Sequence, residues 1–338
     1  MTRIVVDAMG SDEFPTPDVI GAVAAAREYG VEIILVGDEA KVRPVLEAQN
    51  PGSLPVRLVH APEMLTMEDK GMALVLKARR PNSKNSMAVG IDLVKNGEAD
   101  AFVTAGNTGA AAVTAYFRLG TIPGVERPGL APIFPTATGS CVVIDVGANP
   151  DCKAENLLQF GIMGSIYAEK VRGVKNPKVG LISNGEEAGK GSELVKAAYP
   201  LLKASGLNYY GNVEGKEVIG GEVDVAVTDG FTGNVMLKSS EAVAKLLMDK
   251  IKEAIKGGGL LAMLGGGLIK PSLSGIKKLM DPSEHGAAPL LGVDGLVFIG
   301  HGRSDAIAIK NAVRVAKDAV ESKVLDSIRT AIEQSLQK

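Results

Sequence analysis

Short apolar runs rich in valine and isoleucine alternate with longer amphipathic stretches along almost the whole chain. Residues 4–6, 32–36, 56–59, 101–104, 141–144, 179–182, 223–228 and 296–299 read as strands. Helical spacing of apolar positions predicts helices over 18–29, 39–48, 71–79, 88–96, 109–119, 154–171, 192–205, 233–255 and 305–321. The strand runs lack strict polar alternation, so the sheet they form is expected to be covered on both faces. Regular alternation of strand and helix implies right-handed βαβ units. The expected fold is therefore a three-layer α/β/α arrangement around a mostly parallel, buried sheet. In such a sheet ligands collect at the carboxyl ends of the strands.

Two stretches interrupt this rhythm. Ile122 to Gly139 contains Pro123, Pro128, Pro132 and Pro135, which predicts a rigid connection and excludes a helix. Residues 257–280 form an apolar, glycine-rich insertion. Residues 1–338 otherwise read as a single unit, with two lobes around a cleft as one way to arrange it.

Composition narrows the function classes. Net charge is −2 and aromatic residues are 4% with no Trp, so neither a polyanion-binding surface nor base-stacking platforms are expected, and no nucleic-acid partner is predicted. Cys141 and Cys152 lack ligand spacing and fit a reducing compartment. The chain runs from Met1 straight into a strand pattern, and no apolar run reaches the roughly 18 residues of a membrane span. A cytoplasmic location is expected.

The candidate chemistry lies in turns that close a strand and open a helix. Gly106-Asn107-Thr108-Gly109 follows the strand at 101–104. Its glycines allow close backbone approach, and the free N–H groups of a helix start favour an anion. It also reads as an ordinary turn with Thr108 as helix cap. Thr228-Asp229-Gly230-Phe231-Thr232-Gly233-Asn234 repeats the pattern and adds a carboxylate. Asp229 suits a general base or an orienting acceptor, and equally a helix-entry Asp. Lys190, flanked by Gly189 and Gly191, could meet phosphate or a developing oxyanion, or be a solvated loop lysine. The spacing around it does not match a nucleotide-binding P-loop.

Asp7 and Asp12, after the first strand, could seat a cation, or Asp12 could cap the helix near Pro17. Asn149 is expected as a neutral donor at the same edge. His301, in Gly300-His301-Gly302, again links a strand to a helix, with a structural imidazole as its plainer role. No metal-ligand spacing and no Gly-x-Ser-x-Gly elbow occur, so anion binding and direct transfer fit better than covalent catalysis. No metal and no cofactor are expected.

Taken in order, several motifs resemble those of the phosphate acyltransferase family of bacterial phospholipid synthesis. They are Val6-Asp-Ala-Met-Gly10, Ala105-Gly-Asn-Thr-Gly-Ala110, Asp145-Val-Gly-Ala-Asn149, Gln159-Phe-Gly-Ile-Met-Gly-Ser165, Val227-Thr-Asp-Gly-Phe-Thr-Gly-Asn-Val235 and Gly286-Ala-Ala-Pro-Leu-Leu-Gly292. Ser11 and Arg303 depart from the family pattern. The resemblance covers nearly the whole chain and implies a fold similar to the isocitrate and isopropylmalate dehydrogenases. It implies conversion of acyl-acyl carrier protein and inorganic phosphate into acyl phosphate, by a homodimer needing neither metal nor nucleotide. The product would pass to a membrane-bound glycerol-3-phosphate acyltransferase.

On that reading Lys190 and Asp229 carry the chemistry. Gly106, Asn107, Thr108, Gly109, Asn149, Thr232, Gly233, Asn234 and His301 bind phosphate or substrate. Residues 257–280, with Lys270, Lys277 and Lys278, would meet the inner face of the membrane or the other subunit. Arg79, Arg80 and Lys84 are candidate contacts for an acidic carrier protein. The rival readings are a phosphotransacetylase using coenzyme A thioesters and a decarboxylating dehydrogenase of similar fold. The second needs an arginine cluster and converging metal-binding carboxylates, which the sequence does not assemble.

Overall fold

The structure is a computed structural model that describes residues 1–66, 68–259 and 282–336, with isolated positions between 264 and 275. The 257–280 insertion thus lies for the most part outside the described residues.

Among the described residues the strands form two sheets. The larger runs in the order β3(Val56–His60), β2(Glu32–Gly37), β1(Arg3–Asp7), β4(Ala101–Thr104), β12(Val297–Ile299), β11(Ala288–Leu291) and β5(Gly129–Leu130). The smaller runs β6(Ile133–Thr136), β7(Gly139–Ile144), β10(Val225–Val227), β8(Val179–Ile182) and β9(Tyr209–Val213). Pairing is parallel except at β11, β5 and β6. All eight predicted strands form. Their continuous apolar runs have the burial they imply: every residue of β4 and β10 is buried.

The proline-rich connection from Ile122 to Gly139 is not helical, as expected, yet it also contributes strands. It places β5 on the larger sheet and β6 on the smaller, so it is the bridge between them. Prolines suit such positions because both segments pair on one side only. Two further strands, β9 and β11, were not legible in the sequence. Tyr209–Val213 is polar and glycine-containing, and Ala288–Leu291 carries Pro289.

Helices cover both faces of each sheet. The helix α1(Thr16–Tyr29) and the helix α11(Ala306–Glu321) bury one face of the larger sheet through Val19, Ala22, Ile309 and Val313. The opposite face takes α4(Ser86–Lys95) and α5(Thr108–Leu119), through Met87, Ile91, Ala110, Ala111 and Ala115. In the smaller sheet, α6(Ala154–Lys170) packs Leu157, Phe160 and Met163 on one face. On the other, α9(Gly230–Gly257) contributes Met236 and Leu237. Between these lie α2(Glu39–Ala48), α3(Gly71–Arg79), α7(Glu193–Ala204) and α8(Gly215–Gly220); α10(Pro282–His285) and α12(Val324–Leu336) complete the helices described.

Adjacent parallel strands send their helices to opposite faces between β1 and β4 and again between β7 and β10. Each opens a crevice at the strands' carboxyl ends. The Gly106 turn stands at the first and the Asp229 turn at the second.

Under the first crevice, the Asp18 carboxylate is fully buried at the start of α1. It accepts from the Ser11 hydroxyl at 2.6 Å, and its other oxygen has no partner. Burial drives its pKa from 3.8 to about 7, reinforced by the nearby Asp7 charge. The protonated form is favoured by folding, so this contribution is whole below about pH 4 and is lost as pH rises through 7. Replacing Asp18→Asn is expected to remove that loss. Thermal melts should show the variant gaining on the wild type between pH 4 and 7, by up to on the order of 4 kcal/mol. Parallel pH profiles of the two proteins would refute this assignment.

Candidate active site

At the first crevice, Asn107 takes the N-cap of α5, its carboxamide oxygen accepting from the Ala110 N–H at 3.0 Å. The expectation of Thr108 as the cap is corrected. Non-helical backbone at Asn107 leaves Thr108 as the first helical residue. The Asn107 amide nitrogen donates to the Thr66 carbonyl at 3.0 Å and sits 3.4 Å from that of Asp69. Asn107 is thus a structural tie, not a free donor. The Gly106 N–H is also engaged, donating to the Thr104 hydroxyl at 3.0 Å. That hydroxyl donates to Asp7 at 2.8 Å, whose other oxygen accepts from Met9 N–H.

What remains open is the start of the helix. Thr108 is half-buried, Gly109 is exposed, and N–H groups of a first helical turn have no intrahelical acceptor. The first loop lies flat behind this turn. A Cβ on Gly10 would stand 2.9 Å from the Ala105 and Gly106 nitrogens. Asp7 is fully buried, and burial raises its pKa against those hydrogen bonds. It is committed to the protein and does not present itself to a cation. Asp12 does not cap α1: its N–H donates to the Gly302 carbonyl at 2.7 Å, and α1 begins at Thr16 after Pro15.

At the second crevice Asp229 caps α9. One oxygen accepts from the Thr232 N–H at 2.8 Å and the other from the Thr232 hydroxyl at 2.9 Å. Thr232, expected as a ligand donor, is thereby spent on Asp229. Gly233 is buried, and a Cβ there would run into the Asp145 carbonyl oxygen. Its glycine answers backbone packing, not approach of a ligand. Asn234 is exposed beside Gly147.

Asn149 is likewise placed differently from the expectation. It is 5% exposed, and its amide donates to the Pro128 carbonyl at 2.6 Å and to Asp145 at 2.9 Å. It braces the edge from below instead of facing it. Sequence reading took Asp7 for a cation seat and gave no role to Thr104 or Asp145. The usable signal was that each ends a buried apolar strand, where a polar side chain needs a buried partner.

Lys190 is exposed and enters no ion pair among the described residues. Its loop is closed by Asn184, which accepts from the Gly191 N–H at 2.9 Å, and by Asn212, which donates to the Glu187 carbonyl at 2.9 Å. Nearby, Glu186, Glu214 and Glu217 come close enough to share an ion, but they surround the Lys216 ammonium at 3.0, 3.0 and 3.3 Å. His301 connects the halves: its Nε2 is 3.6 Å from Glu241 on α9, while it stands on the β12–α11 turn. Burial lowers its pKa, with Lys238 and Arg303 acting in the same sense and Glu241 opposing.

This arrangement is a three-layer α/β fold with a capped strand-to-helix turn at a crevice of each sheet. The profile of the family described as "Fatty acid synthesis protein" matches residues 2–327, and the chain belongs to that family, the phosphate acyltransferases. A phosphate acyltransferase of Pelotomaculum thermopropionicum is 48% identical over 331 residues, covering 98% of this chain and 95% of the relative. One of Acidobacterium capsulatum is 46% identical, covering 94% of this chain and 93% of the relative. The fold is similar to that of the EutD phosphotransacetylase from Staphylococcus aureus, with TM-score 0.60, 18% identity and 94% of each chain covered.

The two glycines separate packing from ligand approach. Gly233→Ala is expected to lower stability by about 1–3 kcal/mol, as an overpacked backbone contact does. Gly109→Ala, whose Cβ would meet only the Asn107 oxygen at 3.4 Å, should melt like the wild type. Thermal denaturation of both decides it; equal melting temperatures would mean the Asp145 contact relaxes freely.

Proposed function

We propose that inorganic phosphate attacks the thioester of an acyl-acyl carrier protein at the edge shared by the two crevices. A phosphate oxygen bonds to the acyl carbon, the carbon–sulfur bond breaks, and the carrier thiolate leaves and takes up a proton. Acyl phosphate is the product, destined for phospholipid synthesis. The carrying observation is the open first turn of α5 at Thr108 and Gly109, in a family of phosphate acyltransferases.

Phosphate is already anionic at neutral pH, so positioning does more than activation. Helix N-termini supply neutral N–H donors and a favourable dipole for it. Asp229 keeps lone pairs beyond those used by Thr232, so it can orient the nucleophile or take the proton of monoanionic phosphate. The uncommitted Lys190 ammonium suits the oxyanion formed at the carbonyl. His301, on the β12–α11 turn beside Glu241, suits substrate contact. A coenzyme A thioester is the alternative donor, since the similar fold belongs to a phosphotransacetylase. No arginine cluster of the kind a dicarboxylate needs supports a dehydrogenase.

The helix α9 supports a homodimer. It is 28 residues long, about 42 Å at helical rise, and only Gly230 and Gly233 of it are buried. Val243, Leu246, Leu247 and Ile251 are exposed along it at helical spacing. No helix among the described residues is long and apolar enough to cross a membrane. Peripheral attachment to the inner membrane face, and hand-over to a membrane-bound glycerol-3-phosphate acyltransferase, belong to this proposal together with a cytoplasmic location.

Hydroxylamine trapping of acyl phosphate, with carrier-bound and coenzyme A donors compared and chelator present or absent, tests the reaction. Lys190→Ala and Asp229→Asn should each lower turnover at least a hundredfold without changing the melting transition. Near-normal turnover in either would remove that residue's role. Sedimentation of Leu246→Glu with Leu247→Glu is expected to show a monomer; an unchanged mass would place the contact elsewhere.

A further inference from the structure

The most heavily bonded carboxylate described in the molecule belongs to none of the groups assigned to phosphate. Asp145, wholly buried at the end of β7, receives five hydrogen bonds. One oxygen accepts from the N–H groups of Leu130 at 2.9 Å, Gly147 at 3.2 Å and Ala148 at 3.1 Å. The other accepts from Asn149, through its N–H at 2.7 Å and its side-chain amide at 2.9 Å.

These donors come from different parts of the molecule. Leu130 is in β5, which pairs with β11 of the larger sheet, whereas Asp145 ends a strand of the smaller one. The same residues then hold α9. The Gly230 N–H donates to the Asn149 carbonyl at 2.8 Å, and a Cβ on Gly230 would stand 2.7 Å from that oxygen and 2.8 Å from the Asp145 carboxylate. Gly233 rests against the Asp145 carbonyl. On the other side, the Asp145 N–H donates to the Thr228 carbonyl at 3.0 Å. Residues 228, 230 and 233, which bracket Asp229, are each fixed by the Asp145–Asn149 loop.

We infer that Asp145 is a positioning residue: its carboxylate ties the bridge between the sheets to the start of α9, and so sets the position of Asp229 at the proposed phosphate edge. It acts through Asn149 and Gly230 and touches no substrate. This inference rests on the proposed attack of phosphate at that edge. A displacement of about 1 Å in such a group is enough to cost a hundredfold in rate. A carboxylate suits the place because five donors converge on two oxygens, and it has no hydrogen to bring against them. An asparagine of the same size must turn an NH2 toward donors on one side.

The test compares Asp145→Asn and Asn149→Ala with the wild type. Acyl phosphate formation is measured at varied phosphate and varied acyl donor, phosphate binding without donor by calorimetry, and melting by circular dichroism. Asp145→Asn should stay folded with a lower melting temperature. Its kcat/KM for phosphate should fall at least tenfold with KM for the acyl donor within twofold, and phosphate binding should weaken. Asn149→Ala, which keeps the four backbone donors, should fall between. A loss of melting temperature with kcat/KM for phosphate within twofold, in either variant, would make Asp145 purely structural and overturn the inference. Should Asp145→Asn fail to fold, Asn149→Ala decides by the same criterion. A wild type that binds phosphate but forms no acyl phosphate would instead sink the proposed reaction, and the binding comparison would still judge Asp145.

Discussion

A buried carboxylate with five donors is the constraint on which the site depends. An isolated ionised carboxylate in an apolar interior is prohibitively costly, so its surroundings must be organised around it. At Asp145 burial still raises the pKa, with the Ala148, Leu130 and Asn149 donors pulling the other way. Satisfying two oxygens brings together β5 from one sheet, the end of β7 from the other, and the loop beneath α9. The glycines at 230 and 233 follow, because no side chain fits between that loop and the helix start.

The larger sheet repeats the device in a simpler form. Asp7 ends β1 as Asp145 ends β7, and through the Thr104 hydroxyl it fixes the Gly106 N–H. Each crevice thus has a buried aspartate behind it and a capped helix start in front. The cap is Asn107 in one case and Asp229 in the other, so one turn stays neutral and the other carries a charge. That difference suits a site where one wall holds an anion and the other can take its proton.

Much of the fold was legible from hydrophobic periodicity. Runs such as Ala101–Thr104 and Val179–Ile182 are apolar without alternation, and a strand with that pattern must be covered on both faces. The strands that escaped notice are those whose burial is partial or whose residues suit loops. Tyr209–Val213 exposes Tyr210, and β5 and β6 lie within a run of prolines. Their pairing is decided by the neighbouring strands, which local sequence does not report.

The site divides in the same way. The sequence by itself determined that strand-closing, helix-opening turns with neutral donors, one aspartate and one lysine lie along the chain, and their order marked the family. It could not say which donors remain free. Asn107, Thr232 and Asn149 carry polar groups of the kind that bind phosphate, yet Asn107 and Asn149 are spent on the distant Thr66 and Pro128, and Thr232 and Asn149 on the neighbouring Asp229 and Asp145. A polar side chain at a helix start can serve a ligand or its own backbone with equal chemistry. Only the position of the competing partner, often far away in sequence, decides between them.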